Sequence, residues 1–175
     1  VLELGIKKNM SIDEEWLTNI ESQIQYGKAY EYSIKLLTSG DKTSEEIRRK
    51  LRMKNYSEVI IDRVISKLSS YEYINDEKYI ERWISYKSKI PGMSKKAMYY
   101  KLLQKGLSKK LLDKKFSEIE IDEYNLAFLA AEKKIKTIKG DKNKIKAKLF
   151  LFLNRKGFNS NICFKVINKL IKNDA

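Results

Sequence analysis

Leu102-Leu103-Gln104-Lys105-Gly106-Leu107-Ser108 packs a helix end, a glycine, an apolar residue and a hydroxyl into seven positions. Glycine accepts the left-handed backbone that closes a helix, and a serine two places later can accept the first free N–H groups of the next. The stretch therefore reads as a joint between two helices. It returns 51 residues on as Leu153-Asn154-Arg155-Lys156-Gly157-Phe158-Asn159, and 51 residues back as Leu51-Arg52-Met53-Lys54-Asn55-Tyr56-Ser57. Asn55 replaces the glycine because asparagine also tolerates the left-handed region. The same shift superposes Ile47, Met98 and Leu149 before the joint, and Ile60, Leu111 and Ile162 after it. A register held over this distance is the mark of a repeat.

Outward from the joint, apolar residues recur at three and four, as in Ile61, Val64, Ile65 and Leu68, or Ile162, Val166, Ile167 and Leu170. With seven Gly and one Pro, and almost nothing alternating at two, helices are expected throughout. Ser11-Ile12-Asp13-Glu14 and Thr43-Ser44-Glu45-Glu46 read as capping boxes, with Asn75-Asp76, Ser57, Ser94, Ser108 and Asn159-Ser160 as further caps. A preceding helix belongs to each copy, at 28–39, 76–89 and 123–138. The expectation is an all-α, elongated array of three tandem three-helix repeats, 28–73, 74–121 and 122–175. Residues 1–27 form an N-terminal helical leader holding Trp16, Leu17, Ile20 and Ile24. A single three-helix unit buries too little apolar surface alone, so neighbours should share their apolar faces.

Of the 175 residues, 37 are Lys or Arg and 23 are Asp or Glu, a formal charge of +14. The segments carry −3, +3, +6 and +8 in chain order. A polyanion is the natural partner, contacted by the second and third repeats through salt-sensitive phosphate contacts. The candidate basic face is Lys87, Lys89, Lys95, Lys96, Lys101, Lys105, Lys109 and Lys110, with Lys142, Lys144, Lys146, Lys148, Arg155 and Lys156. Against this stands the plainer reading of a solvated lysine-rich surface. Tyr99 and Tyr100, between Lys96 and Lys101, are candidates for base stacking, or else one packs inside and the other lies exposed. Leu149-Phe150-Leu151-Phe152-Leu153 exceeds one buried stripe. Either the third repeat is buried on two sides, or Phe150 and Phe152 offer an apolar patch to a protein partner.

Catalysis finds no footing. There is no His, which removes imidazole bases and ligands, and no phosphate-binding glycine loop or metal-ligand cluster is present. Asp13-Glu14, Glu45-Glu46, Asp76-Glu77 and Asp122-Glu123 sit at helix starts, where the macrodipole accounts for them. The lone Cys163 falls in register with Ile61 and Leu112, so it is expected in the core, and it suits a reducing compartment. No apolar run is long enough for a bilayer. A monomer with no catalytic residue, cofactor or metal, working in the cytoplasm and away from membranes, is expected.

Lys28-Ala29-Tyr30 followed by Thr43-Ser44-Glu45-Glu46-Ile47 and Leu51, then Ile74-Asn75-Asp76-Glu77-Lys78-Tyr79, then Lys105-Gly106-Leu107 and Lys156-Gly157-Phe158, form an ordered set. That set resembles the RecX family, bacterial regulators of the RecA recombinase, over about residues 28–173. Where the family carries an arginine-rich turn, this chain has Ser39-Gly40-Asp41-Lys42. Because the chain begins at Val1, and Leu4-Gly5-Ile6-Lys7-Lys8 resembles the end of a longer extension in some members, residues 1–27 are expected to be the end of one. The resemblance implies a non-enzymatic protein that binds the RecA–DNA filament and restrains its recombinase and ATPase activity, in recombinational repair and the SOS response. DNA, single- or double-stranded, would be a weak or filament-associated partner. The alternative is a stand-alone basic helical protein that coats DNA or RNA.

Overall fold

The helix joints set the architecture. In the computed structural model, which describes residues 13–172, Asn55, Gly106 and Gly157 all take left-handed backbone, with φ of 60°, 85° and 88°. At each joint the following residue's N–H returns to the leucine carbonyl five places back: Tyr56 to Leu51 at 3.3 Å, Leu107 to Leu102 at 3.4 Å, Phe158 to Leu153 at 3.2 Å. This is the Schellman arrangement, in which carbonyls left over at a helix end are satisfied by the turn that leaves it. Ser57, Ser108 and Asn159 then accept from the N–H groups of Ile60, Leu111 and Ile162. The expected cap chemistry is present in all three copies.

Among the described residues there are nine helices and no strand. They are α1 (Glu14–Thr38), α2 (Ser44–Arg52), α3 (Glu58–Ser70), α4 (Asp76–Lys87), α5 (Lys95–Gln104), α6 (Lys109–Ser117), α7 (Glu123–Ile135), α8 (Lys142–Arg155) and α9 (Ser160–Lys172). One expectation is corrected at the start. The leader and the first helix of repeat one are a single 25-residue helix, so the boundary drawn at residue 27 falls inside α1. Its cap is Asp13, which accepts from Trp16 N–H at 2.7 Å; Ser11 of the expected box, and the Leu4–Lys8 stretch, lie outside the described residues. Thr43 and Glu46 do form the reciprocal capping box at α2. In repeat three, Asp141 caps α8 through Asn143 and Lys144 N–H. The 51-residue register with Ser44 and Lys95 would start that helix at Lys146. It therefore begins one turn early.

The chain forms two compact units, one up to Asp76 and one from Glu77 onward. In the first, α1 packs on α3 over a core of Ala29, Ile47, Leu51, Ile61, Val64, Ile65, Leu68 and Ile74. Asp76 accepts from Ser44 N–H at 2.9 Å and from its hydroxyl. In the second, repeats two and three share one core that runs from Tyr79, Ile80 and Ile84 through Met98, Leu102, Leu112 and Phe116 to Leu149, Leu153, Phe158, Cys163 and Val166. Each further fully buried aliphatic side chain here contributes about 1.5–3 kcal/mol. Glu123 at the start of α7 accepts from Lys95 N–H at 2.9 Å. The carboxylates at helix starts thus serve as caps and ties.

One buried cation was not foreseen. Lys115 replaces, in register, the buried Val64 and Val166, and its Nζ meets Glu81, Glu77 at 3.2 Å and Glu118 at 3.9 Å. The hydrogen bonds that Lys115 donates to Glu81 and Glu77 push the ammonium pKa up, and Lys115 in turn pulls the Glu81 carboxyl down.

Candidate nucleic-acid interface

Inside the second unit, the α8–α9 joint is docked against the start of α5. Ser94 N–H donates to the Lys156 carbonyl at 3.1 Å. A Cβ on Gly157 would lie 2.5 Å from Ser94 Oγ and 3.1 Å from Ala97 Cβ, so this glycine serves the turn and the close approach together. The Ser94 hydroxyl, fully buried, accepts from Ala97 N–H at 3.0 Å. Docking leaves an open cleft of about 460 Å³, lined by Lys96, Ala97 and Tyr100 on one wall and Asn154, Arg155, Gly157, Asn159 and Ser160 on the other. Lys96 and Arg155 are exposed, and Tyr100 is 52% exposed. Two cations from different repeats beside an open phenol ring can hold a phosphate backbone and stack a base.

The remaining candidates do not form one face. Lys95 turns inward to the Ile119 carbonyl at 3.1 Å, and the exposed Lys148 donates to the Lys139 carbonyl at 3.1 Å in the turn before its own helix. Lys144 pairs with Asp141 at 3.3 Å. Lys105 lies over the Tyr79 ring at 5.5 Å, and Lys87 over Tyr86 at 5.1 Å and Trp83 at 5.9 Å. Lys89 lines a shallow depression with Glu81, Arg82, Ser85 and Tyr86. Lys142 edges a small cavity with Ile135, Ile145 and Ile171. Lys101, Lys109 and Lys110 are exposed on α5 and α6. Lys156 enters a second cleft of about 330 Å³ with Pro91, Gly92, Phe152, Lys133 and Lys134. Those two α7 lysines were missed because charge counting alone cannot show which helix faces which joint.

The two aromatic pairs separate. Tyr99 is half-buried, edge-on to Phe116 at 5.4 Å, and its hydroxyl donates to Asp113 at 2.7 Å, a bond that raises the phenol pKa. Tyr100 alone keeps an open ring. Phe152 sits under the ammonium groups of Lys134 at 5.8 Å and Lys156 at 5.7 Å. Phe150 instead stacks on Phe164 at 5.0 Å. The expected Phe150–Phe152 patch is therefore corrected: two positions apart on a helix, the rings lie about 200° around its axis. Cys163 is buried with its thiol pushed up by desolvation and donating weakly to the Phe158 carbonyl at 3.7 Å. Among the described residues no cluster of His, Cys, Asp or Glu could hold a metal, and no helix is long and apolar enough to cross a membrane.

Residues 29–68 match the family model described as RecX, first three-helix domain, and residues 120–167 match RecX, third three-helix domain. The chain belongs to the RecX family. Regulatory protein RecX of Clostridium perfringens (strain SM101 / Type A) is 34% identical over 97% of this chain and 81% of its own length. That of Clostridium tetani (strain Massachusetts / E88) is 34% identical over 99% and 83%. A crystal structure of regulatory protein RecX superposes with a TM-score of 0.77 at 20% identity, covering 95% of this chain and 83% of that one. RecX from Lactobacillus salivarius gives 0.68 at 23% identity, covering 85% and 97%. The all-α RecX fold is thus the one read from the repeat.

Proposed function

We propose that this chain is a non-enzymatic regulator that binds the RecA filament on DNA and restrains its ATPase and strand-exchange activity, in the cytoplasm, during recombinational repair and the SOS response. Family membership supports the RecA side of this reading. The observation that carries the DNA side is the cleft in which Lys96 and Arg155 flank the open ring of Tyr100. The carboxylates favour a binding role too, since Asp13, Glu46, Asp76, Asp122, Glu123 and Asp141 all accept hydrogen bonds at helix starts. The second unit would lie against the filament, with the cleft on the backbone of the bound strand. Holding that strand would block its pairing with duplex.

The test is ATP hydrolysis by RecA on single-stranded DNA as this protein is titrated in. Anisotropy of the same DNA without RecA is measured beside it. Inhibition at concentrations well below those that bind naked DNA is expected. Inhibition only where the DNA is already saturated would favour the alternative, a basic helical protein that coats the lattice.

A further inference from the structure

The third repeat carries an apolar groove between α8 and α9. Phe150, Leu151 and Ala147 of α8 face Phe164 and Ile167 of α9 across about 630 Å³, with Lys146 at the edge. Leu151 is 58% exposed and Phe164 56%. By the 51-residue register, the stacked Phe150–Phe164 pair replaces Tyr99–Asp113 in repeat two and Arg48–Asp62 in repeat one. In those repeats the same gap is bridged by a hydrogen bond and by an ion pair. The fold therefore does not need apolar rings here, and open apolar surface of this kind marks a binding surface.

Its surroundings select the occupant. Between Lys142 and Lys172 the chain holds nine Lys or Arg and no Asp or Glu. A second copy of the same surface would set like charge against like. A nucleic acid would answer the charge but leave Leu151 and Phe164 facing phosphates. A peptide helix with carboxylates on one face and leucine-like side chains on the other answers both. We infer that the α8–α9 groove docks an acidic amphipathic helix of a protein partner, its apolar stripe seated on Phe150, Leu151 and Phe164 and its carboxylates directed to Lys146 and the acid-free rim. The groove shares no residue with the DNA cleft, and the inference does not rest on the filament reading.

The probe is a fluorescein-labelled synthetic peptide of about 14 residues, four helical turns, with Leu at i, i+3, i+4 and i+7 and Glu elsewhere. A scrambled peptide of the same composition is run with it, and ¹H–¹⁵N spectra of the whole chain map the site. Binding about tenfold tighter than the scrambled peptide is expected, with shifts confined to α8 and α9. Leu151→Ser and Phe164→Ser leave the charge unchanged, so they should weaken the peptide by about tenfold while anisotropy on single-stranded DNA moves less than about twofold. Circular dichroism melting checks that both variants fold. Equal binding of the scrambled peptide, or unchanged binding by the variants, would overturn the inference. So would groove resonances that respond to the protein's own concentration, or to an oligothymidylate more than to the peptide. No RecA is present, so the outcome is separate from the ATPase titration.

Discussion

Repeats one and three share a backbone device and differ in what they do with charge. In repeat one, Arg48 pairs with Asp62, and Arg52 with both Glu45 and Glu58 at 2.7 Å. The guanidinium pulls the Glu58 carboxyl below its usual range. In repeat three the matching helices carry no acid after Asp141, the bridging pair has become two phenylalanines, and Arg155 donates to the Leu151 carbonyl at 3.3 Å with no carboxylate paired to it among the described residues. A cation already neutralised by a neighbour has little left to offer a phosphate. One without such a neighbour releases counterion when it binds. Pairing thus separates the two repeats in a way that net charge alone does not, and it is the difference on which the proposed contact through Arg155 depends.

The largest effect should come from the shared device itself. Gly157→Ala must hold a φ of +88° and bring a Cβ within 2.5 Å of Ser94 Oγ. Left-handed strain of about 1–2 kcal/mol and overpacking of about 1–3 kcal/mol add to a loss of roughly 3 kcal/mol, read by urea unfolding of the whole chain. Gly40→Ala, with φ +119° and nothing within 4 Å, carries the strain without the clash and should cost less. Equal losses would mean that the joint does not dock on α5.

The charge comparison is broken or sharpened by paired substitutions. Lys96→Ala with Arg155→Ala should lower affinity for single-stranded DNA about tenfold near 0.1 M salt and flatten the log–log salt slope by about 1.4, two phosphates' worth. Arg48→Ala with Arg52→Ala removes the same charge from repeat one and should change affinity less than about twofold. Similar losses from both pairs would reduce the cleft to general charge.

Lys115 tests a smaller difference. Replacing it by the valine of its counterparts Val64 and Val166 keeps the packing and removes the clamp on Glu77 and Glu81. The Glu81 carboxyl is held below its ordinary 4.5, so its contribution is present above that value and is lost as pH falls through the lower folded one. Lys115, raised above 10.5, contributes below that value and loses it as pH rises through the raised one. Lys115→Val should leave melting near pH 7 within a few degrees, because the Glu77 and Glu81 side chains are about half exposed and are left in water, not as buried unpaired charges. It should also flatten the decline in melting temperature below about pH 4.5. A decline identical to that of the parent chain would show that other carboxylates dominate acid unfolding.

Much of the fold was legible because caps are local chemistry. Asn55, Gly106 and Gly157 announce three turns, and Ser57, Ser108 and Asn159 announce the helices on their far side. The start of α1 was misread because its helix runs through Gly27, and a helix packed on α3 tolerates one glycine at a cost of about 1 kcal/mol. The lysine face was only partly legible. Lys95 and Lys105 are drawn to a carbonyl and to a ring whose positions depend on how separate segments of the chain meet. The Phe150–Phe164 pair was within reach, since Arg48–Asp62 and Tyr99–Asp113 also stand 14 residues apart. It needed the register to be traced from the core to the surface.

That pair gives the smallest expected effect and the closest test of the comparison. Phe150→Tyr with Phe164→Asp installs in repeat three the hydrogen bond of repeat two. The gap is bridged there from Tyr99 to Asp113, and a bond of this kind contributes about 1 kcal/mol. The aromatic stack that is lost is worth about as much, roughly 0.5–1.5 kcal/mol, and its rings are partly in water. Stability should therefore stay within about 1 kcal/mol of the parent. A double-mutant cycle should show the two substitutions coupled, each alone being worse than both together. A large loss would mean that the aromatic pair is structural after all. Near-neutral stability would leave binding as the reason for two open rings on an otherwise basic surface.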